Sequence, residues 1–502
     1  MYSRIYTATI LGIESVSVVV EADVSDGLPV FDMVGFLSSE VREARERVRT
    51  SMKNSGCRLP PKRITINLSP AGIRKSGSGF DLPIAVSLMC AMGVLDEKIY
   101  RDMVIVGEVS LDGRILPVNG VLPIILGAKK QGIKRCFLPK KNCEESLFVK
   151  DMEIYTADSL SDLIDNKIKR IRSESDACNN DLETQVFKDY DFKDMNGQKN
   201  VRRACEIAVS GRHNMLMVGP PGSGKSFAAK CIPKILPGMN EQEKLEVAQI
   251  YSVGGLYGKR KGLSDERPFR SPHHTVTAKG LTGGGLMPKP GEITLAHKGV
   301  LFLDELTEFN QSVLETLREP MEDKTVKLVR AGVNYVFPAD FMLVCAMNPC
   351  LCGFFPDMNR CSCTRTSINR YLGRLSQPLL DRIDVTVQAN RLSYSEIMEK
   401  EDNESSLDIR KRVCETVEIQ KERYKAEEFN YNSEIPAGRL DDFILLDHKQ
   451  LAHMKDVYEK YGISVRSYHK ILKVARTIAD MDNSKDIKMS HLNEAVCYRS
   501  ID

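Results

Sequence analysis

The chain has 502 residues, enough for about three domains at roughly 150 residues each. Hydrophobic residues make up 42% and charged residues 28%, which excludes collagen-like, coiled-coil and largely disordered classes. The net charge of +3 neither demands nor forbids a polyanionic partner, because binding follows the distribution of charge rather than its sum.

The first six residues lack the basic start and apolar stretch of a signal peptide. The longest apolar run, residues 82–95, contains Pro83 and Ser87 and is too short to cross a hydrocarbon core of about 30 Å. A cytoplasmic protein without a membrane span is expected.

Up to residue 168, short strands alternate with helices. Residues 15–22 (SVSVVVEA) and 63–67 (RITIN) have strand patterns, and Ser39–Asn54 reads as a helix closed by Gly56. Val41, Ala44, Val48 and Met52 form its apolar stripe. Arg42, Arg45, Arg49 and Lys53 form a basic stripe, which suits either a solvated face with Glu43 and Glu46 among the arginines or a nucleic-acid contact.

Residues 169–189 are polar and charged and read as an inter-domain linker. Beyond it, 214–218 and Val300–Leu303 are uninterrupted apolar strands, the mark of a parallel sheet covered on both faces, so residues 190–391 form an α/β domain. From residue 392 helical periods take over, as in Val465, Tyr468, Leu472, Ala475 and Ile478, so 392–502 reads as a helical domain.

Gly219, Pro220, Pro221, Gly222, Ser223, Gly224, Lys225 and Ser226 satisfy G-x-x-x-x-G-K-[ST] between a strand and a helix. The glycines let backbone N–H groups wrap a phosphate, Lys225 brings a point charge to the β and γ phosphates, and Ser226 offers its hydroxyl to Mg²⁺. The strand 300–303 runs into Asp304 and Glu305. Asp304 is placed for the Mg²⁺ shell and Glu305 for the attacking water.

Asp304 and Glu305, the strand 342–346 followed by Asn348, and Leu379-Leu380-Asp381-Arg382 resemble the Walker B, sensor 1 and arginine-finger elements of AAA+ ATPases. Ser464-Val465-Arg466 resembles sensor 2. The whole chain resembles the ComM/YifB family of magnesium-chelatase-like AAA+ proteins through residues 67–71 (NLSPA), 270–275 (RSPHHT) and 468–480 (YHKILKVARTIAD). This resemblance implies that Arg382 reaches the γ phosphate of the neighbouring subunit's ATP, and that Arg466 contacts nucleotide within its own subunit.

Residues 254–291 are glycine-rich and basic, with Lys259, Arg260, Lys261, Arg267, Arg270 and the pair His273-His274, and read as projecting loops. Adjacent histidines without a carboxylate at ligand spacing do not make a metal site. Residues 325–337 (TVKLVRAGVNYVF) read as a hairpin with Arg330 near its tip. Both segments resemble the pore-facing inserts of the clade of chelatase motors and replicative helicases. In a ring, Lys259, Arg260, Lys261, Lys327 and Arg330 would then track a DNA backbone.

Cys350, Cys352, Cys361 and Cys363 crowd together. Four thiolates on one short loop can hold Zn²⁺ tetrahedrally, although C-x-C is tighter than the usual spacing; reduced thiols and disulfides are the alternatives.

Residues 106–139 and the helix 79–93 resemble the Lon-type protease fold. Gly77 falls at the nucleophile position and Leu122 at the lysine position, so the dyad of that fold is absent. Residues 1–168 are therefore expected to be a non-proteolytic Lon-like scaffold.

The resulting expectation is a ring-forming, hexameric AAA+ ATPase that uses ATP and Mg²⁺ to move single-stranded or branched DNA, as in branch migration during recombination or uptake of transforming DNA. The alternative is a chelatase-like or protein-remodelling ATPase without a nucleic-acid substrate.

Overall fold

The computed structural model describes residues 1–171, 190–259, 265–285, 287–330, 332–391 and 403–499. The N-terminal domain is built on an eight-stranded sheet. Its strand order is Lys169–Ile171, Glu153–Thr156, Arg135–Phe137, Met103–Ile105, Tyr2–Leu11, Glu14–Ser25, Arg63–Ser69 and Val30–Val34. Tyr2–Leu11 and Glu14–Ser25 form a long antiparallel hairpin in which Tyr6 faces Val19. Alternation along the second strand buries Val18, Val20, Ala22 and Val24 against the helices Ser39–Asn54 and Asp81–Ala91. Tyr6, Ala8 and Ile10 face the helix Val121–Lys130 on the other side.

Ser39–Asn54 has the expected bounds. Ser38 caps its N-terminus by accepting from the Val41 N–H, and the predicted apolar stripe is fully buried while Arg42, Arg45, Arg49 and Lys53 are exposed. The expected linker begins later than predicted. Lys169–Ile171 pairs antiparallel with Glu153–Thr156, with Ile171 packed toward the core. The rest of that linker, and the start of the helical domain at 392, lie outside the described residues.

The second domain holds five parallel strands in the order Phe269–Arg270, Val300–Leu303, Met342–Met347, Met215–Val218 and Val385–Gln388. Alternate residues serve two cores. Met215, Met217, Phe302, Val344 and Val385 pack with the helix Lys199–Gly211 and the C-terminal helices, and Leu216, Leu301, Leu303, Leu343 and Cys345 pack on the opposite face. Each such fully buried aliphatic side chain contributes about 1.5–3 kcal/mol of transfer free energy, so two-faced burial explains why these strands lack polar alternation.

The C-terminal helices Ser406–Arg423, His448–Tyr461, Val465–Met481 and Met489–Cys497 share a core with the sheet through Ile409, Val413, Leu472, Ala475 and Ile478. Inside this bundle the Asp480 carboxylate, fully buried, accepts from Arg423, Arg476 and Asn432. A buried carboxylate persists only with such a complete set of donors. Among the described residues no helix is long and apolar enough to cross a membrane.

Candidate active site

The P-loop occupies the C-terminal edge of the five-stranded sheet. The strand Met215–Val218 ends at Gly219, and Gly222 (φ 75°) and Gly224 (φ 88°) adopt left-handed conformations that side chains disfavour. The helix Lys225–Ile235 starts with no side-chain cap on its first turn, so backbone N–H groups and the positive end of the helix dipole face the loop. Lys225 Nζ donates to the carbonyls of Gly219 (2.7 Å) and Pro220 (2.9 Å) and to Asn348 Oδ1 (3.3 Å). Burial pushes its ammonium below the ordinary lysine range, and nearby Asp304 works against that shift.

Ser226 Oγ donates to Asp304 Oδ2 at 2.6 Å, and the Glu305 N–H donates to Asp304 Oδ1 at 3.0 Å. The hydroxyl and carboxylate are adjacent hard oxygen donors, the set Mg²⁺ takes beside a polyphosphate. Glu305 has φ 52°, an uncommon backbone conformation for a non-glycine residue, and its Oε2 lies 3.4 Å from His274 Nδ1. The structure thus brings Lys225, Ser226, Asp304, Glu305 and Asn348 to one edge. His274 joins them as a partner of Glu305 that sequence spacing alone did not assign.

The two arginines lie at the other edge. Asn214 Nδ2 donates to the Arg382 carbonyl at 3.1 Å, and Asn214 opens the strand that closes at Gly219. The five residue steps from Asn214 to Gly219 span about 16 Å at the rise of an extended strand. Arg382 therefore sits away from its own P-loop, where it contacts Glu322 and donates Nη1 to the Pro378 carbonyl at 2.6 Å. Arg466 Nη2 lies 3.7 Å from Glu322 Oε1, the same oxygen Arg382 uses. One helical turn further on, Lys470 Nζ is 2.6 Å from Asp384 Oδ1, just before the strand Val385–Gln388. Against the expectation of a contact with its own subunit's nucleotide, Arg466 stands beside Arg382. The packing of Val465–Met481 against the start of the sheet carries Arg466 to the Arg382 side.

The four cysteines converge as expected. Their sulfurs all lie within 4.8 Å of one another, with Cys350 to Cys352 at 3.4 Å, Cys352 to Cys361 at 3.6 Å and Cys350 to Cys361 at 3.8 Å. A tetrahedral zinc with bonds of about 2.3 Å sets its sulfurs about 3.8 Å apart, so this donor set fits. All four are free thiols rather than disulfides. The Phe354 N–H, with help from Cys350 and Cys363, pulls the Cys352 thiol down to about 6, while the neighbouring sulfurs push Cys361 up to about 12 and raise Cys363. The loop also leans on the nucleotide site: a Cβ on Gly353 would stand 2.4 Å from Pro221 Cδ.

The basic inserts are mixed. The hairpin forms as Thr325–Arg330 and Val333–Pro338, with Arg330 exposed near its tip. Lys327, by contrast, is paired with Asp323 at 2.7 Å. Lys259 ends a short turn, while Arg260 and Lys261 lie outside the described residues. Arg267 and Arg270 are not loop cations: Arg267 is buried on Glu243, and Arg270 pairs with Glu292 at the edge strand Phe269–Arg270. The segment expected to project as loops therefore also supplies a strand of the core sheet.

In the N-terminal domain Gly77 has φ 91°, and Leu122 is fully buried at the start of Val121–Lys130. Gly77 carries no hydroxyl and Leu122 no amine. Ser76 and Ser78 instead line a cavity of about 640 Å³ between the domains, shared with Met287 and Tyr335 of the second domain.

A P-loop and an acidic strand end on a five-stranded parallel sheet, with arginines at the far edge and a helical lid, define an AAA+ P-loop ATPase domain. Family profiles agree: residues 191–397 match "Magnesium chelatase, subunit ChlI", 403–499 its C-terminal part, and 20–142 "Subunit ChlI of Mg-chelatase". The chain is 37% identical to Competence protein ComM of Haemophilus influenzae, covering 99% of this chain and 97% of that protein. It is 38% identical to the uncharacterized protein YifB of Escherichia coli, covering 100% and 97%. The chain belongs to the ComM/YifB family of magnesium-chelatase-like AAA+ proteins. Its N-terminal domain is Lon-like: a stretch of 135 residues is 30% identical to Lon protease 2 of Herpetosiphon aurantiacus, 26% of this chain and 16% of that one.

Proposed function

We propose that this protein is a ring-forming, hexameric ATPase that couples ATP hydrolysis to movement along single-stranded or branched DNA, in recombination or in uptake of transforming DNA. The observation that carries the reading is the division of the site between opposite edges of one sheet. Lys225, Ser226, Asp304, Glu305 and Asn348 stand at one edge and Arg382 at the other. A single chain cannot close both halves around one triphosphate, whereas a head-to-tail ring places the arginine of each subunit at the phosphates of the next.

In that ring the P-loop N–H groups and Lys225 would hold the β and γ phosphates, and Ser226 and Asp304 would hold Mg²⁺, which would supply charge neutralisation at the phosphates. Glu305, kept in place by His274, orients and deprotonates the attacking water, and Asn348 fixes its line of approach. Arg382 compensates charge on the departing γ phosphoryl. Cys350, Cys352, Cys361 and Cys363 would hold a structural zinc, which would stiffen the loop against Pro221. The DNA assignment draws on the relative named as a competence protein and on exposed Arg330 at the hairpin tip, with Lys327 available once it leaves Asp323.

Steady-state ATP turnover with and without single-stranded and forked DNA tests this, with Lys225→Ala as the inactive control. Several-fold stimulation that weakens as salt rises is expected. Neither stimulation nor binding at low ionic strength would favour the reading without nucleic acid.

A further inference from the structure

Glu322 stands where two arginines from different domains meet. It lies in the short helix Arg318–Asp323, which leads into the hairpin strand Thr325–Arg330. Its Oε1 accepts from Arg382 Nη2 and is 3.7 Å from Arg466 Nη2. Arg382 is gripped from a second side by the Pro378 carbonyl and is only 11% exposed, which fixes the plane of its guanidinium. Arg466, carried by the C-terminal helix Val465–Met481, is 54% exposed, and Glu322 is the carboxylate that ties it to the ATPase core. The surrounding charges are already committed: Asp384 to Lys470, Glu315 to Arg318, with Asp381 3.9 Å from Arg499.

Two guanidinium groups on one carboxylate oxygen are held side by side against their mutual repulsion. Released from it, Arg466 would drift with its lid and Arg382 would lose one of its two anchors. We propose that Glu322 is a positioning residue for ATP hydrolysis, presenting Arg382 and Arg466 together as a paired cation to the γ phosphate of the neighbouring subunit. The proposal rests on the reading of Arg382 as a group that acts across the subunit boundary. Glu322 would not touch nucleotide itself, so its loss should spare ATP binding and slow the chemical step.

The experiment compares ATP turnover of full-length Glu322→Gln, Glu322→Asp, Arg382→Ala and Arg466→Ala with wild type over a range of ATP concentrations, with ring assembly followed by sedimentation. Glu322→Gln is expected to lower kcat about tenfold or more while KM stays within about twofold, and Glu322→Asp should fall between it and wild type. Combining Glu322→Gln with Arg466→Ala should cost no more than the slower single variant, since both act through one pair. A wild-type or raised kcat in Glu322→Gln, or losses that multiply in the double variant, would overturn the proposal. If Glu322→Gln fails to assemble, Glu322→Asp carries the same test, and an unchanged kcat in its assembled rings overturns the proposal. An active Arg382→Ala would instead refute the underlying reading of the finger. An inactive Arg382→Ala beside a wild-type Glu322→Gln would refute only the role of Glu322.

Discussion

Lys225 and Asn348 illustrate what one residue's spacing reveals and what it hides. The P-loop was legible because its glycines are demanded by backbone geometry, and the left-handed Gly222 and Gly224 occupy the predicted positions. Asn348, 123 residues away, was placed by resemblance, and the structure brings its Oδ1 to 3.3 Å from Lys225 Nζ. His274 and Glu322 carried no comparable signal, since a histidine in a loop and a glutamate on a short helix acquire meaning only from what packs against them. The cysteines lie between these cases: their clustering was visible, but their convergence within 4.8 Å depends on the fold of one loop. Metal analysis of protein purified without a histidine tag should find about one zinc per chain, falling below about half an equivalent in Cys352→Ser. Equal zinc in both proteins would contradict the site.

Elements were most legible where both faces are buried. Val300–Leu303 and Met342–Met347 are apolar throughout because alternate residues feed two cores. Short edge strands were not: Lys169–Ile171 and Phe269–Arg270 hold two or three residues each, too few for a period to show, and in sequence they resemble linker and loop. The side of the sheet reached by Val465–Met481, and with it the place of Arg466 beside Arg382, was also invisible. That helix is fastened by Lys470 on Asp384. Burial opposes ionisation of Asp384, but the Lys470 ammonium prevails and holds the carboxyl well below the usual range. Asp340, between Arg212, Lys298 and Lys324, is likewise depressed against its burial. Since the unfolded carboxyls take up protons first, the stability these groups confer is complete above about pH 4 and is lost as pH falls further. Thermal melting should therefore drop steeply below pH 4 in wild type and less steeply in Asp384→Asn. Parallel melting curves for the two proteins would contradict this account.

At the scale of the molecule, the three-part organisation followed from composition and period, and the cavity between the N-terminal and ATPase domains could not, because it is assembled from segments more than 200 residues apart. The same limit applies to a site divided between chains. In the proposed ring each ATP is hydrolysed by the P-loop of one subunit and the arginine of the next. Mixing Lys225→Ala chains with Arg382→Ala chains tests it most directly, since neither variant turns over ATP alone, yet mixed rings contain junctions with an intact half from each. In an equal, randomly assembled mixture about one junction in four is complete, so turnover should recover to about a quarter of wild type. Rings shown to contain both chains that remain as inactive as either variant alone would contradict the account.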